Sequence, residues 1–177
     1  MMEQDVIDLN LGLKDEKILE YAMQIYGQPL LRYCHSILCD YEDAKDAVQI
    51  TFIKAYSNRQ TFKEGSKFSA WLYRIAYTTC MDILRKRRWN IFQPLPMVNE
   101  EYMSEVLQQS LLTLSGLERA LLFSRVIDKK SYAELEEIYH VSASTLRKKY
   151  ERVKNKLAKQ LKQKIATTGE WRSRYEI

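Results

Sequence analysis

The sequence contains few of the residues that break helices or cross-link a chain. Its 177 residues include five glycines, three prolines and three cysteines. So little glycine and proline argues against a turn-rich β protein, and no segment alternates apolar and polar residues with period two. An odd number of cysteines without a C-x-x-C pair argues against a disulfide scaffold and fits a reducing compartment. We therefore expect an all-α, cytoplasmic protein.

Membrane and export signals are also missing from the sequence. No apolar run approaches the roughly 20 residues that a membrane-spanning helix needs. The acidic start, residues 1–10, lacks the apolar segment of a signal peptide. The sequence therefore predicts that the chain is not itself a membrane protein.

Motifs of catalysis and metal binding are scarce as well. There are two histidines, no glycine-rich phosphate loop, no G-x-S-x-G and no H-E-x-x-H, so we expect no enzyme, no catalytic residues and no cofactor. Cys34, His35 and Cys39 invite a zinc interpretation. However, the other histidine, His140, lies far along the chain. Buried thiols are the better interpretation, and no metal site is expected.

The net charge of +5 is unevenly distributed along the chain. Residues 61–90 carry seven Lys or Arg against two Asp or Glu, and residues 111–177 carry fifteen against eight. Residues 1–60 and 91–110 are acidic. Two separate basic segments predict two contacts with a polyanion. The acidic front end suits a partner other than nucleic acid.

Residues 131–157 have the pattern of a helix-turn-helix. Ser131 and Glu134 form an S-x-x-E capping box, which predicts a helix that ends near Tyr139. Residues 140–142 are too few for anything but a tight turn, and Ser142 or Ser144 would cap the next helix. This is the arrangement with which many proteins read the major groove of DNA.

The second helix of this pair is amphipathic and strongly basic. Apolar residues recur every three or four positions, as one buried stripe requires: Leu146, Tyr150, Val153, Leu157, Leu161 and Ile165. Basic residues fill much of the remaining surface, against the single acid Glu151: Arg147, Lys148, Lys149, Arg152, Lys154, Lys156, Lys159, Lys162 and Lys164. This is the charge of a phosphate-binding surface. A merely solvated face, a membrane-surface helix or a calmodulin target would show a similar pattern.

Another basic helix is predicted from Phe68 to Arg88. Its core stripe comprises Phe68, Trp71, Leu72, Ile75, Ala76, Thr79 and Ile83. A different face mixes cations, an aromatic ring and small polar groups, as single-stranded nucleic acid requires: Arg74, Tyr77, Thr78, Met81, Arg85 and Arg88. The basic run at its end would also complement the helix dipole, although four cations exceed what that effect needs. The preceding loop, residues 59–67, contains Gly65, which allows a flipped base to approach the backbone closely.

The remaining pattern predicts two small helical domains joined by a flexible linker. Helices are expected at residues 15–38, bent near Pro29, at 41–58, from about Asn99, and at 117–127 behind a second capping box of Ser115 and Glu118. Two prolines followed by acidic residues mark the linker. The predicted divisions are 15–89 for the first domain, 90–110 for the linker and the start of the second, 111–165 for the helix-turn-helix domain and 166–177 for a tail.

Together these segments resemble a bacterial RNA polymerase sigma factor of the extracytoplasmic-function (ECF) class. Residues 26–88 look like the second sigma region, most specifically in YEDAKDAVQ from Tyr41, in TFIKAY from Thr51, and in the F-x-A-W-L-x-x-I-A run from Phe68 that precedes Asp82 and Arg85. Residues 111–161 look like the fourth sigma region. The two blocks stand in the expected order around a short linker, and a third sigma region is absent.

The resemblance implies a function in transcription initiation without covalent chemistry. The chain would bind core RNA polymerase, through the β′ clamp helices and the β subunit, and would direct it to promoter DNA. An inhibitory anti-sigma partner is also expected. The resemblance assigns core-polymerase binding to Asp46, Gln49, Phe52 and Lys54. Phe52 lies on the apolar face of its helix, so a place in the hydrophobic core is the alternative.

The resemblance also implies two sets of DNA-binding residues. Melting and reading of the minus-ten element falls to Lys63, Lys67, Arg74, Tyr77, Thr78, Arg85, Lys86, Arg87 and Arg88. Reading of the minus-thirty-five element falls to Ser144, Thr145, Arg147, Lys148, Lys149, Arg152 and Lys156. Ser144, Arg147, Lys148 and Arg152 would lie nearest the bases, and Lys149, Lys154 and Lys156 would contact phosphate or solvent.

Several positions depart from the family pattern and indicate a divergent member. Ile50 stands where an acid usually follows Gln49, and Tyr77-Thr78 replaces an Arg-Asn-like pair. Residues 112–114 lack the usual Leu-Pro, and His140 takes the place of a turn glycine.

Two other hypotheses fit parts of the sequence. One is a helix-turn-helix regulator that binds an operator without polymerase. The other is an anti-sigma-like adaptor that binds only protein.

Overall fold

The chain folds as a bundle of α-helices. The computed structural model describes residues 16–62, 66–89 and 105–168. The helices in these ranges are α1 (Glu16–Leu38), α2 (Tyr41–Ser57), α3 (Phe68–Trp89), α4 (Glu105–Leu112), α5 (Gly116–Val126), α6 (Tyr132–Tyr139) and α7 (Ala143–Thr168), with a 3-10 turn at Arg59–Thr61. No strand occurs within the described ranges, and the predicted all-α class is confirmed.

The first half of the molecule consists of α1, α2 and α3. Helix α1 continues through Pro29, where a bend was predicted. It ends at Leu38, and the left-handed backbone of Cys39 (φ 54°) turns the chain toward α2. Asp40 then caps α2 by accepting a hydrogen bond of 2.9 Å from the amide of Asp43. This compact turn lets both helices bury apolar side chains, Leu30 of α1 and Phe52 of α2 among them, in one cluster with Leu72 of α3.

Serine caps organise the second half, α4 to α7. Both predicted capping boxes form, with Ser115 paired to Glu118 at the start of α5 and Ser131 paired to Glu134 at the start of α6. Each satisfies two orphan backbone donors reciprocally. At the start of α7 the amide of Thr145 donates to Ser142 Oγ at 3.4 Å, so Ser142 provides the cap. The helix-turn-helix geometry of α6 and α7 therefore follows from short local signals.

His140 occupies the turn between α6 and α7 in a left-handed conformation (φ 51°, ψ 39°). A side chain with a Cβ is strained there, by about 1–2 kcal/mol. We expect His140→Gly to raise the free energy of unfolding by about 1 kcal/mol, since glycine adopts this backbone freely but gains entropy in the unfolded chain. Urea denaturation measures the change. As a control, Ala133→Gly at an exposed position of α6 should lower stability by about 1 kcal/mol; a loss of stability in the His140 variant would contradict the prediction.

The two halves pack directly against each other. Helix α3 contacts α6, and α1 contacts α5. One hydrophobic cluster extends from α1 and α3 into the second half, where it includes Leu121, Leu135, Ile138 and Leu146. The residues that connect the halves, 90–104, lie outside the described ranges, as do the predicted helix start near Asn99 and the tail beyond residue 168. The last residues of the predicted 90–110 segment, 105–110, belong to α4.

The three cysteines lie in the interior. Cys34 and Cys80 are fully buried and Cys39 is 8% exposed, which confirms their interpretation as core thiols. Within the described ranges no cluster of His, Cys, Asp and Glu could hold a metal ion. None of the helices described combines the length and apolarity needed to cross a bilayer.

Candidate nucleic-acid interface

The helix-turn-helix presents the basic face of α7 outward. Leu146 and Val153 are completely buried, which confirms these two positions of the predicted apolar stripe. Most of the predicted minus-thirty-five residues are exposed on the opposite side: Ser144, Thr145, Arg147, Lys148, Arg152 and Lys156. Lys149 is partly buried. The burial pattern thus orients one side of α7 for contact with a large anionic surface.

The cations of α7 differ in how far the protein already uses them. Lys156 Nζ donates to the Thr113 carbonyl at 3.0 Å and lies 3.7 Å from Glu118, so it holds α7 against the α4–α5 turn. Lys154 is paired with Glu151 at 2.9 Å. Arg147 stacks loosely on the ring of Tyr132, 5.2 Å from its centroid. Arg147, at the N-terminal end of α7, is therefore oriented while its donors remain accessible.

Helix α3 displays only part of its predicted polar face. Arg74, Thr78 and Lys67 are exposed. Tyr77 is half-buried, because its ring packs edge-on against Tyr139 of α6 with the centroids 4.8 Å apart. Burial raises the pKa of its phenol. Two further candidates cannot be placed, since Lys63 and the side chain of Arg88 lie outside the described residues.

The basic run at the end of α3 is divided between internal and external contacts. Arg87 donates to the Leu38 carbonyl at 3.0 Å and pairs with both Asp40 and Asp43. Its side chain is only 19% exposed. The prediction that Arg87 contacts DNA is corrected, because its guanidinium is committed to the α1–α2 turn. Lys86 remains exposed beside it.

A groove of about 450 Å³ lies between α2 and α3. Its lining combines two isoleucines, a hydroxyl and four charged side chains: Ile50, Lys54, Thr79, Asp82, Ile83, Arg85 and Lys86. Lys54 Nζ donates to Thr79 Oγ1 at 3.1 Å and lies 3.8 Å from the Asp82 carboxylate, which also pairs with Arg85 at 3.0 Å. Lys54 therefore faces α3. The resemblance implied that Lys54 lies on the polymerase-binding surface.

The outer face of α2 carries a polar and an apolar set of exposed residues. Asp46 and Gln49 are exposed, as a contact surface requires. Phe52 is 3% exposed, so the assignment of its side chain to a partner is corrected in favour of the hydrophobic core. Ile50 and Ile53 are instead exposed, by 37% and 65%. Ile53 was not among the residues predicted to bind polymerase, although its place beside the buried Thr51-Phe52 pair on a helix signals the opposite face.

Comparisons with known proteins agree with this arrangement of helices. The sequence model of the Sigma-70 region 2 family matches residues 23–90. The ECF RNA polymerase sigma factor SigW of Bacillus subtilis (strain 168) is 26% identical, over 84% of this chain and 91% of that protein. The RNA polymerase sigma factor YlaC of the same strain is 27% identical, over 84% of this chain and 95% of that protein.

The fold also resembles that of a solved structure. The match is to the complex of the sigma factor RpoE with the anti-sigma factor NepR from Bartonella quintana, with a TM-score of 0.69 and 22% identity. It covers 81% of this chain and 96% of the other. At this level of identity the similarity establishes the fold alone.

Proposed function

Because the chain belongs to the extracytoplasmic-function (ECF) class of RNA polymerase sigma factors, which act in transcription initiation, we propose that it binds core RNA polymerase and directs it to promoters with minus-ten and minus-thirty-five elements. The observation that carries this proposal is the exposed basic face of a helix-turn-helix in the same molecule as an exposed apolar patch on α2. In this proposal the DNA and the protein partner bind to different surfaces of the chain.

The α2 surface fits a protein partner. Asp46 and Gln49 supply hydrogen-bonding groups, and Ile50 and Ile53 supply apolar area that gains free energy when it is removed from water. Interfaces commonly combine such an apolar centre with a polar rim. We assign this surface to the β′ clamp helices of the polymerase. Phe52 supports it from below, and Lys54 fixes α2 to α3.

The α3 surface fits the minus-ten element in its melted form. Lys67, Arg74, Arg85 and Lys86 offer cations to the phosphates, and Thr78 offers a polar side chain. Single-stranded DNA binding combines such an electrostatic track with aromatic rings that stack on bases. Tyr77 is the ring available on this face once its contact with Tyr139 is released. The groove beside Asp82 adds a carboxylate that accepts hydrogen bonds. No step of this function requires covalent chemistry.

The α7 surface fits the minus-thirty-five element as duplex DNA. Arg147, Lys148 and Arg152 lie on the exposed side near the N-terminal half of the helix, which is the part that enters the major groove in helix-turn-helix proteins. An arginine that binds guanine through both O6 and N7 discriminates against other bases by about 1–3 kcal/mol. We assign Lys149 to phosphate contact.

A transcription assay tests the proposal and the role of Arg147. Core polymerase and this chain should give run-off transcripts from a subset of a promoter library. We expect Arg147→Ala to reduce them on the order of tenfold, the loss that removal of one bidentate base contact predicts. The matched variant Lys159→Ala, which removes an exposed cation farther along α7, should reduce them less, because it removes no contact with a base.

The possible outcomes separate the hypotheses. Promoter-independent transcription, or none at all, would contradict a sigma function. Tight footprinting of an operator without polymerase would favour the helix-turn-helix regulator. If neither Arg147→Ala nor Arg152→Ala changes function, an adaptor that binds only protein is favoured.

We also propose an anti-sigma partner for this chain. RpoE was solved in complex with the anti-sigma factor NepR, and CnrH, which shares the fold with a TM-score of 0.70 and 18% identity, was solved with the cytosolic domain of CnrY. An inhibitor that covers Ile53 would compete with polymerase. Competition between the two for the purified chain tests this proposal.

A further inference from the structure

Two tyrosine rings of the helix-turn-helix lie among its cations. Tyr132 is the first residue of α6 and Tyr150 lies in α7, and their rings meet edge-on with the centroids 6.4 Å apart. Arg125 lies over both rings, 4.5 Å from the centroid of Tyr132 and 6.0 Å from that of Tyr150. Arg147 lies 5.2 Å from the Tyr132 centroid, and Lys154 lies 5.1 Å from the Tyr150 centroid. Cations at these distances are attracted to the face of an aromatic ring, so three helices share one cation–tyrosine network.

Arg125 anchors this network to the backbone. It is partly buried in α5, and its Nη1 donates a hydrogen bond to the carbonyl of Lys130, just before α6 begins. The capping box of Ser131 and Glu134 fixes the same first turn of α6. Tyr132 therefore has a fixed position, because its backbone belongs to a capped helix end and its ring contacts an arginine that is itself held.

Arg147 is the exposed cation that contacts the ring of Tyr132. An arginine reads guanine through two hydrogen bonds at once, which require the planar guanidinium to stand in one orientation. A free arginine side chain loses much rotamer freedom when it adopts such an orientation. A side chain that is held in advance loses less and binds more tightly. The ring of Tyr132 supplies such a hold.

The second ring of the network acts within α7. Lys154 contacts Tyr150 and pairs with Glu151 at 2.9 Å, so its contacts lie along its own helix. Positive charge attracts phosphates from many directions, and contacts with phosphate carry no base specificity. Removing the ring of Tyr132 would therefore change the orientation of one base-reading side chain and leave the charge of α7 unchanged.

We propose that Tyr132 is a positioning residue for promoter specificity: it holds the guanidinium of Arg147 in the orientation that reads one base pair of the minus-thirty-five element. The first helix of a helix-turn-helix crosses the DNA backbone while the second enters the major groove, so Tyr132 acts from α6 through Arg147 on α7. The DNA element rests on the proposed function, whereas the hold of Tyr132 on Arg147 does not. Tyr132 thus sets discrimination at one position of the promoter.

Nuclear magnetic resonance measures this hold without DNA. The nitrogen relaxation of arginine Nε atoms in the isotope-labelled full chain gives an order parameter for each side chain on the picosecond-to-nanosecond timescale. The Arg147 signal is identified by its absence in Arg147→Lys. In the unsubstituted chain Arg147 should be more ordered than Arg152, an exposed arginine of the same helix. Tyr132→Leu, which keeps an apolar side chain but removes the ring, should lower the Arg147 order parameter to that of Arg152.

Two controls accompany this variant. Tyr132→Phe keeps the ring and should leave the order parameter of Arg147 as it is in the unsubstituted chain. Tyr56→Leu removes a partly buried ring of the first half that holds a different arginine, Arg59, 4.3 Å from its centroid. It should not affect Arg147. Circular dichroism and urea unfolding check that each variant keeps its fold.

A transcription assay with core polymerase and a library randomised at the minus-thirty-five element measures specificity. The base preference that disappears in Arg147→Ala identifies the position that Arg147 reads. At that position Tyr132→Leu should reduce the preference about two- to fivefold, as the loss of one exposed cation–π contact predicts. Tyr132→Phe and Tyr56→Leu should keep it. In the Arg147→Ala background Tyr132→Leu should have no further effect, because it acts only through Arg147.

Several results would overturn the proposal. Equal mobility of Arg147 and Arg152 in the unsubstituted chain, or an unchanged order parameter in Tyr132→Leu, shows that the ring does not hold Arg147. A preserved base preference in Tyr132→Leu shows that DNA orients Arg147 by itself. A loss in Tyr132→Phe as large as in Tyr132→Leu assigns the effect to the hydroxyl group instead. A chain that gives no promoter-specific transcripts contradicts the proposed function, and the order parameters still decide whether Tyr132 holds Arg147.

Discussion

Replacing Ile53 by glutamate should abolish most of the affinity for core polymerase while leaving the fold intact. The side chain is 65% exposed and contributes little to the hydrophobic core. In the proposed complex it loses its contact with water, which is worth about 1.5–3 kcal/mol for an isoleucine. A glutamate there would also place an unpaired charge in an apolar contact. A weakening of Kd by about a hundredfold follows, because each 1.4 kcal/mol is a factor of ten.

Titration of labelled chain with core polymerase measures this loss. Val126→Glu is the matched control, since it removes a branched side chain of similar exposure (52%) and adds the same charge on the second half. We expect it to retain affinity within a few-fold and both variants to unfold within about 0.5 kcal/mol of the parent, as surface substitutions usually do. Undiminished binding by the Ile53 variant would remove α2 from the polymerase interface.

Replacing Arg119 by methionine should produce the largest loss of stability. Arg119 is 7% exposed, and it donates to the Ile37 carbonyl at 2.7 Å and, through Nη1, to the Leu114 carbonyl at 2.6 Å. Methionine fills similar space without donors and leaves two interior carbonyls unpaired. Each unpaired group costs about 1–3 kcal/mol, so we expect the free energy of unfolding to fall by about 2–4 kcal/mol.

Urea unfolding followed by circular dichroism measures this change. Arg74→Met, which changes an exposed arginine of α3 in the same way, should shift stability by no more than about 0.5 kcal/mol. A loss below 1 kcal/mol in the Arg119 variant would mean that water replaces the guanidinium, and that the contact between α1 and α5 is weaker than the geometry indicates.

Local signals in the sequence were sufficient for most of the helices. The serine caps, the apolar spacing and the turn at His140 each act within a few residues, so they are legible without the three-dimensional fold. The same holds for the exposed face of α7, because a buried stripe at Leu146 and Val153 fixes which side remains in water.

Contacts between distant segments were beyond the reach of the sequence. Arg87 reads as one more cation in a basic run, and only the fold brings Asp40 and Asp43 to it. The sequence gives no sign that the ring of Tyr77 is covered. Only the fold shows that Tyr139, which is distant in sequence, packs on it. Phe52 and Ile53 exchange roles because a partner surface is defined by what the fold leaves uncovered. Periodicity places Phe52 on the apolar face of α2, but only the fold shows that Ile53 on another face is left uncovered.

The links between α2 and α3 have a mechanical consequence. Lys54 of α2 contacts Thr79 and Asp82 of α3. Arg87, near the C-terminal end of α3, pairs with Asp40 in the turn that precedes α2. Contacts at two separate points along α2 and α3 restrict both the sliding and the rotation of one helix relative to the other. In the proposed complex, a tilt that polymerase imposes on α2 would therefore also tilt α3. The proposed polymerase-binding surface and the proposed minus-ten surface would then move as one unit, and a change in their position relative to α7 would require movement between the two halves of the chain.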